Sequence, residues 1–324
     1  MLKDILAIGN SRIYDMEYFN LVLDYIKLNG KDAVLYKQDK CLNGEYIDFH
    51  VKSNAHQTNI IVDNNHYNIE NFRSVWYLKP YLPSELICYP VVEYREFIKK
   101  QFKDSRESLF NLLSHKKWLP NPHKMFEFSN KVTQLNLATK CGFDIPNTLV
   151  TSNPITAKKF IAENDEVIVK QLASNISLFV DKTIFSNILK HEDVEEIDSL
   201  KLAPCIFQEY IEKEFEMRVT YINGKIFAVK IDSQKDKNTR IDWRKKPHEK
   251  SILIEPCILD IETQNKIYKF MKMSNLNFGC FDFIMATNRK TYFLEINPNG
   301  QWYFLDENTR HGIAFEIADY LCSN

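Results

Sequence analysis

The segment at residues 292–302, which reads YFLEINPNGQW, constrains the fold of this chain more than any other. Because side chains two residues apart in a β-strand point to the same face, Glu295 and Asn297 are predicted to direct their oxygens together, with Phe293 on the same face. Pro298 then ends the strand, since proline cannot donate a ladder hydrogen bond. The opposite, core-facing side of the strand is predicted to carry Leu294 and Ile296.

A second strand is predicted just before it, at residues 281–285, and Asp282 is its single acid. Two carboxylates and an amide oxygen at the ends of paired strands form an oxygen-rich set of the kind that holds Mg²⁺ together with phosphates. Asp282, Glu295 and Asn297 are therefore candidate magnesium ligands. The alternative is a pair of half-buried strands with acids at their solvent-exposed ends.

Length and composition limit the class of protein. A chain of 324 residues is too long for one small core, and we predict three domains, at residues 1–125, 126–200 and 201–324. The formal net charge is −1, so no overall positive field would recruit nucleic acid or an anionic membrane. No apolar run is long enough to span a membrane, and the seven cysteines form no C-x-x-C pair, which favours a cytoplasmic protein with reduced thiols.

Hydrophobic spacing predicts mixed α/β structure. A short buried strand at residues 3–9, a helix from Asp15 to Leu28 and a strand at 33–36 form a β-α-β unit, which indicates a small parallel sheet. Residues 91–114 are predicted to form one long helix. From about residue 130 onward, helices and strands alternate in an α+β manner.

Two lysines stand at the ends of predicted elements. Ser129 is predicted to cap a helix that runs to Cys141 and ends at Gly142. Lys131 opens this helix, where a cation is mildly unfavourable, so an anionic partner is expected. Lys170 ends a buried strand and can meet a phosphate as a point charge. The alternative for each is an ordinary lysine that extends into solvent.

The segment at residues 206–212 is apolar, then acidic, then apolar. An extended segment of this kind can offer backbone groups to the edge of a purine. The alternative is an edge strand, which would have the same pattern of residues. Glu216 and Arg218 share one strand face and could address a sugar hydroxyl and a phosphate. An exposed cross-strand ion pair is the alternative.

A polar stretch at residues 232–250 shows no periodicity, and stretches of this length inside compact domains are often functional loops. Arg240 and Arg244 lie within it and could move onto a negative charge that develops during a reaction. A solvated loop without such a role is the alternative.

The order of the candidate residues along the chain resembles that of the ATP-grasp ligases. That order runs Lys131, Lys170, Gln208–Ile211, Glu216, Arg218, Asp282, Glu295 and Asn297. Within the superfamily the chain resembles the microviridin-type peptide ligases, or graspetide synthetases, and looks closest to the "grasp-with-spasm" peptide maturases. This resemblance spans nearly the whole chain and is carried by Ser74–Tyr77, Asn130–Leu135, Gly142–Thr148, Asp242–Arg244 and Glu295–Trp302. It departs at residues 171–177, where relatives often have a glycine and this chain has none.

The resemblance implies an α/β (α+β) ATP-grasp fold that clamps ATP between two subdomains, preceded by a small domain with a parallel sheet. It implies ATP and Mg²⁺ as cofactors. For the nucleotide, it implies phosphate binding by Lys131 and Lys170, adenine binding by the backbone of Glu209 and Ile211, and ribose binding by Glu216. It implies that Asp282, Glu295 and Asn297 bind Mg²⁺. Arg218 and Arg244 are implied to stabilise the transferring phosphoryl group.

The implied reaction joins a carboxyl group to a hydroxyl or amine within one ribosomally made precursor peptide, composed of a leader and a core. A Glu or Asp side chain becomes an acyl phosphate, and a Thr, Ser or Lys side chain then closes a macrolactone or macrolactam ring. A homodimer is expected by the same resemblance. The alternatives are an ATP-grasp ligase that adds free amino acids to a protein or joins small molecules, and a peptide-binding module without catalysis.

Overall fold

The computed structural model describes residues 4–173, 187–189, 194, 197–235, 239–243, 252–309 and 312–323. The chain divides into two compact units. The first unit comprises Met1–Met125 and Gln301–Asn324, and the second comprises Phe126–Gly300. Among the helices in the described ranges, none is long and apolar enough to cross a membrane.

The first unit begins with the predicted β-α-β arrangement. Its elements are β1 (Ile5–Gly9), α1 (Ile13–Leu28), β2 (Ala33–Lys37), β3 (Tyr46–Lys52), β4 (Ala55–Val62), β5 (Asn65–Asn68), β6 (Ser74–Tyr77), α2 (Ser84–Ile87), α3 (Val92–Leu112), β7 (Lys117–Leu119) and α4 (Pro122–Glu127), the last at the boundary with the second unit. Strands β2-β1-β6-β7 form a parallel sheet, and β3-β4-β5 form an antiparallel one. The parallel sheet confirms the prediction for the N-terminal region.

Elements of the second unit build two antiparallel sheets. They are α5 (Lys131–Cys141), β8 (Thr148–Thr151), α6 (Pro154–Ala162), β9 (Val167–Gln171), β10 (Asn187–Ile188), β11 (Cys205–Glu209), β12 (Lys213–Ile222), β13 (Lys225–Ile231), β14 (Ile254–Pro256), α7 (Ile261–Ser274), β15 (Phe278–Ala286) and β16 (Thr291–Asn297). The four-stranded sheet has the order β10-β9-β11-β8 and packs on α6. The five-stranded sheet has the order β14-β13-β12-β15-β16 and packs on α5 and α7.

The last two helices, α8 (Tyr303–Asp306) and α9 (Gly312–Cys322), return to the first unit. Trp302 is fully buried there, with its ring 5.1 Å from that of Tyr18, and Ser74 Oγ donates to the carbonyl of Leu321 at 2.8 Å. The predicted domain at 201–324 groups residues 301–324 with the five-stranded sheet. They belong to the first unit instead, where α9 contacts β6 and β7 of the parallel sheet and buries its apolar side chains.

Helix α5 also differs from its predicted surroundings. The predicted domain at 126–200 would group it with β8 and β9, but its Leu135 and Ala138 belong to the core beneath the five-stranded sheet. Asn130, rather than Ser129, is its N-cap, because Asn130 Oδ1 accepts a hydrogen bond from Thr133 N at 3.0 Å. Gly142 ends the helix in the left-handed conformation, with a φ of 90°, as predicted.

A β-bulge changes the predicted faces of β16. Asp282 pairs with Glu295, but Phe283 pairs with Phe293, so Leu294 is the extra residue. As a result Phe293, which is 0% exposed, lies in the main core together with Ile296. The prediction that Phe293 shares a face with Glu295 and Asn297 was wrong, because a strict alternation of two takes no account of an inserted residue.

Candidate active site

Three neighbouring strands of the five-stranded sheet each bring one charged residue into the same row. Arg218 on β12 lies opposite Asp282 on β15, and Asp282 lies opposite Glu295 on β16. Directly opposite residues of paired strands project from the same face with close Cβ atoms. Asn297 follows two residues after Glu295 and therefore projects from that face as well. The register thus collects one guanidinium, two carboxylates and one amide.

These side chains hydrogen-bond to one another. Arg218 Nη1 donates to Asp282 Oδ2 at 2.7 Å. Asn297 Nδ2 donates to Asp282 Oδ2 at 3.2 Å and to Glu295 Oε1 at 3.4 Å. One amide group therefore bridges both carboxylates, so that an oxygen of each converges on the same point.

Lys131 joins this group from the first residue of α5. Its Nζ lies 3.2 Å from Glu295 Oε2, and the two side chains are 19% and 22% exposed. The carboxylate offsets the mildly unfavourable position of a cation at a helix N-terminus. We call Lys131, Arg218, Asp282, Glu295 and Asn297 the carboxylate cluster; five of the ten predicted site residues lie in it.

Arg218 is the most deeply buried charge of the ion pairs in the carboxylate cluster, with 8% of its side chain exposed. Burial alone lowers the pKa of its guanidinium, but neighbouring negative groups, chiefly Asp282, more than offset this, so the pKa of Arg218 is raised. Gly300 gives the guanidinium its space, because a Cβ at that position would lie 2.8 Å from Arg218 Nη2 and 2.7 Å from the Cβ of Cys280. The arginine is therefore charged and closely confined.

The carboxylate cluster has the donor chemistry that Mg²⁺ requires. Two carboxylates already converge, and the Asn297 amide between them carries an oxygen as well as its nitrogen. No three His, Cys, Asp or Glu side chains among the described residues form a group that could hold a metal ion. Among these residues the third protein oxygen would come from the amide of Asn297, whose nitrogen faces the two carboxylates in this structure.

Lys170 lies on the other sheet of the second unit, near the end of β9. Its Nζ donates to Gln208 Oε1 at 2.6 Å, and Gln208 Nε2 donates to Thr148 Oγ1 at 2.9 Å. Gln208 is 4% exposed, so the lysine head group is anchored to a buried amide. The convergence of Lys131 and Lys170 on one triphosphate stays a prediction.

The connecting segment, at residues 209–212, leads from the end of β11 in the four-stranded sheet to β12 in the five-stranded sheet. Glu209 N donates to Asn147 O at 2.9 Å, and Tyr210 N donates to Glu166 O at 2.9 Å, so successive amides face opposite directions. By the same alternation the carbonyl of Glu209 and the N–H of Ile211 face one side. Ile211 packs into a small apolar cluster whose other members are Ile284, Ala286, Tyr292 and Leu294.

Glu216 lies two residues before Arg218 on β12. Lys213 Nζ lies 2.7 Å from Glu216 Oε1 and also donates to Ile241 O at 3.2 Å. Burial raises the pKa of Glu216, and the hydrogen bonds from Lys213 and Ser233 only partly offset that effect. The carboxylate predicted to meet ribose is thus held by a buried lysine. Arg244 lies outside the described residues, as does the run at 174–177 of the glycine-free segment.

A cavity of about 910 Å³ opens beside the same connecting segment. Most of the ionisable groups that line it are acids, namely Glu163, Asp165, Glu166, Glu209, Glu212 and Glu214. Of the described residues that line it, Lys213 and Arg240 are the cations. This cavity does not suit a triphosphate, because its excess of carboxylates would repel one.

Three contributors to the site were missed from the sequence: Gln134, Lys213 and Gly300. Gln134 lies three residues after Lys131, a spacing that places both on one side of a helix and could have identified it. Lys213 differs, since nothing in the pattern of charges around it distinguishes a buried lysine from a surface one. The closeness of Gly300 to Arg218 depends on the tertiary structure alone.

Comparison with known proteins decides the family. Residues 128–321, more than half of the chain, match the RimK-like ATP-grasp domain. The chain belongs to the RimK-like ATP-grasp family. A comparison with curated protein sequences finds no match.

Solved structures resemble this ATP-grasp protein over its whole length. A Chryseobacterium gregarium RiPP-associated ATP-grasp ligase, in complex with ADP and a leader and core peptide, has a TM-score of 0.86 and 26% identity, covering 99% of this chain and 96% of that chain. Macrocyclase MdnC bound with precursor peptide MdnA, from Microcystis aeruginosa MRC, has a TM-score of 0.84 and 26% identity, covering 99% and 100%. Macrocyclase MdnB from the same organism has a TM-score of 0.80 and 25% identity, covering 98% and 99%.

These comparisons confirm the predicted fold class and the predicted resemblance to ATP-grasp peptide ligases. Enzymes of this family use ATP and Mg²⁺, the two cofactors that the sequence predicts. The roles of the individual site residues stay predictions.

Proposed function

We propose that this ATP-grasp protein activates Glu or Asp side chains of a ribosomally made precursor peptide as acyl phosphates and closes side-chain rings. The observation that carries the proposal is the carboxylate cluster, in which two carboxylates and an amide converge between Lys131 and Arg218. Relatives of similar length and fold are a RiPP-associated ligase and two macrocyclases.

The geometry supports a division of roles for the nucleotide. In the proposal, the carbonyl of Glu209 and the N–H of Ile211 meet the adenine, and the apolar cluster around Ile211 offers it a surface. Glu216 meets the ribose. Lys131 and Lys170 meet the phosphates as point charges.

Asp282, Glu295 and Asn297 would hold Mg²⁺, which would neutralise the negative charge of the phosphates. Arg218 is charged and fixed beside this group, so it can stabilise the transferring phosphoryl group without reorganisation. Arg244 is proposed to act with it on the negative charge that develops during the reaction.

The chemistry then proceeds in two displacements. A carboxylate oxygen of the peptide attacks the γ-phosphorus, and ADP leaves. A hydroxyl or amine of the same peptide attacks the acyl carbon, phosphate leaves, and the proton of the nucleophile is released. Each closed ring costs the peptide one water, while ATP becomes ADP and phosphate. The protein contributes mainly positioning and charge neutralisation.

Mass spectrometry tests this proposal. Short peptides encoded next to the chain's own reading frame, rich in Thr or Ser and in Glu or Asp, are incubated with the full chain, ATP and Mg²⁺. Loss of one or more waters from a peptide, together with ADP formation, is the expected result. An ester opens in mild base whereas an amide resists it, so the same product distinguishes macrolactone from macrolactam.

Glu295→Gln should abolish water loss while the fold remains, because it removes one of the two carboxylates of the proposed metal site. Glu262→Gln is the matched control, since Glu262 also pairs with a lysine, Lys266, at 2.6 Å, but lies exposed on α7. Water loss by Glu295→Gln at the wild-type rate would refute the metal assignment.

The alternative function is ligation of free amino acids to a protein or joining of small molecules. It uses the same nucleotide site, so it differs only in the product: the acceptor gains the mass of an amino-acid residue and loses no water. Gain of that mass with an amino acid and ATP would favour this alternative. Absence of ATP turnover with every peptide and amino acid would favour a binding module.

The proposal also includes the partners and the location. The peptide would bind through a leader as well as a core, and two copies of the chain would form a homodimer in the cytoplasm. All seven cysteines are free, which agrees with a reducing compartment. Light scattering after size-exclusion chromatography would give the mass in solution, and a monomer at micromolar concentration would remove the dimer from the proposal.

A further inference from the structure

On the outer edge of β16, Asp144 forms a bridge at Tyr292, but no strand in the described part of the chain pairs with this edge at Ile296. β16 is the last strand of the five-stranded sheet, and the backbone groups on its free side would be unsatisfied where they are buried. Ile296 lies at such a point, with 1% of its surface exposed. Its neighbours in the chain are Glu295 and Asn297, two of the proposed metal ligands.

The side chain of Gln134 takes the place of that missing strand. Gln134 Oε1 accepts a hydrogen bond from Ile296 N at 2.9 Å, and Gln134 Nε2 donates to Ile296 O at 2.8 Å. The same nitrogen donates to Phe128 O at 2.6 Å, just before the start of α5. Gln134 is 3% exposed, so these bonds form out of contact with water.

This arrangement joins two parts of the carboxylate cluster. Gln134 lies on α5 three residues after Lys131, which is one turn away on the same side of the helix. Its amide holds the backbone of Ile296, and therefore the strand positions from which Glu295 and Asn297 project. Lys131 Nζ in turn reaches Glu295 Oε2 at 3.2 Å.

A purely structural contact would not require these groups. An apolar side chain of similar size could pack α5 on the sheet, as Leu135 and Ala138 do. Only a primary amide offers a donor and an acceptor spaced to match the C=O and N–H of a single residue. The match is therefore specific to holding this one residue of β16 in place.

We propose that Gln134 is a positioning residue for the Mg²⁺–phosphate site, which sets the position of Glu295 and Asn297 relative to Lys131. This inference rests on the proposed function, in which those residues hold Mg²⁺ and phosphate. Residues that orient metal ligands without touching the metal typically contribute about 10- to 100-fold to metal affinity.

The test compares the full-length wild type with Gln134→Met, which keeps the volume and removes all three hydrogen bonds. Isothermal titration calorimetry measures the affinity for ADP with Mg²⁺ and, separately, for AMP. We expect Gln134→Met to bind Mg·ADP about tenfold or more weakly. Its affinity for AMP should not change, because AMP depends on the connecting segment rather than on the carboxylate cluster.

Gln264→Met is the matched control. Gln264 Nε2 also donates to a backbone carbonyl, that of Leu259, at 2.8 Å, but on α7 and away from the carboxylate cluster. This variant should bind both nucleotides as the wild type does. A loss of Mg·ADP affinity common to both variants would overturn the inference, since it would show a general effect of losing a glutamine in this unit.

Hydrogen exchange of the nucleotide-free protein gives a second readout that does not depend on the metal. Exchange at the Ile296 amide should become faster in Gln134→Met. Exchange at the Phe293 amide should not, because Phe293 N donates to Asp144 O at 2.9 Å. Unchanged exchange at Ile296 would contradict the proposed contact.

The outcomes separate the inference from the function on which it rests. If Mg²⁺ does not strengthen ADP binding by the wild type, the proposed function fails. If it does, and folded Gln134→Met retains wild-type affinity for Mg·ADP, only the inference fails. Gln134→Glu, which keeps the acceptor for Ile296 N, serves where the methionine variant does not fold. Failure of both variants to fold would also overturn the inference, because Gln134 would then serve the fold and not the site.

Discussion

Replacing Asp282 by Asn tests whether the carboxylate cluster is held together by charge. The side chain keeps its shape and can still accept a hydrogen bond from Arg218 Nη1, which now lies 2.7 Å from Asp282 Oδ2. Only the negative charge is lost. Arg218, with 8% of its side chain exposed, would remain buried beside a neutral amide, with Glu295 as the nearest remaining acid of the cluster.

The magnitude follows from the geometry. Two unit charges about 4 Å apart attract each other by about 4 kcal/mol at an effective dielectric constant of about 20. Part of this is offset, because a neutral Asn avoids the cost of burying the Asp282 carboxylate, which is 22% exposed. We therefore expect the free energy of unfolding to fall by about 2 kcal/mol. In a unit of this size that corresponds to a loss of about 4–8 °C in Tm.

Thermal unfolding followed by circular dichroism, without nucleotide or metal, measures this loss. Asp198→Asn is the control, since Asp198 pairs with Lys201 at 3.8 Å where both side chains are mostly exposed, and such pairs contribute about 0–1 kcal/mol. The double variant Arg218→Met/Asp282→Asn should lose less stability than the sum of the two single variants. If Asp282→Asn is no less stable than Asp198→Asn, the reasoning about the buried pair is refuted.

Three further predictions concern other residues. Gly300→Ala should lower the free energy of unfolding by about 1–3 kcal/mol, because its Cβ would press on Arg218 Nη2; unchanged urea denaturation would contradict the close contact. Asp260→Ala should cost about 1 kcal/mol, because Asp260 caps α7 through Thr263 N at 2.7 Å. Partial burial raises the pKa of Asp260, but hydrogen bonds to its ionised form outweigh this and lower it. The stability of the wild type relative to Asp260→Ala should therefore be greatest above pH 3.8 and decline as the pH falls through the lowered pKa. A stability difference independent of pH would argue against this. Arg244→Ala should slow turnover more than it weakens ATP binding, because the charge it meets develops during the reaction; steady-state kinetics with unchanged turnover would remove it from the mechanism.

Much of the site could be predicted because strands and helices have short, regular periods. Glu295 and Asn297 lie two apart and do project together, and Asp282 is the acid of the neighbouring strand. Lys131, for which an anionic partner is expected, lies with its Nζ 3.2 Å from Glu295 Oε2, and its role toward phosphate stays a prediction. These relations depend on spacing along the chain and on the pairing of two strands that are close in sequence.

Other features depend on which distant segments meet. The bulge at Leu294 reverses the face of Phe293, and nothing in the local pattern marks it. The choice of Asn130 over Ser129 as the helix cap is a matter of one residue, and both side chains are good caps. The return of residues 301–324 to the first unit follows from burial against a sheet formed some 200 positions earlier, as the bond between Ser74 and Leu321 shows, with a separation of 247 residues.

By itself, the sequence determined the types of element, the candidate residues for Mg²⁺ and phosphate, and a resemblance to ATP-grasp ligases, because periodicity and residue chemistry are local properties. Only the tertiary structure decided that Arg218 stands opposite Asp282 and that Gln134 completes the edge of β16 at Ile296. The reason is physical: strand register and the satisfaction of buried backbone groups depend on segments far apart in the chain, and such pairings leave no periodic trace in either segment. Gln134 and Ile296, for example, are 162 residues apart.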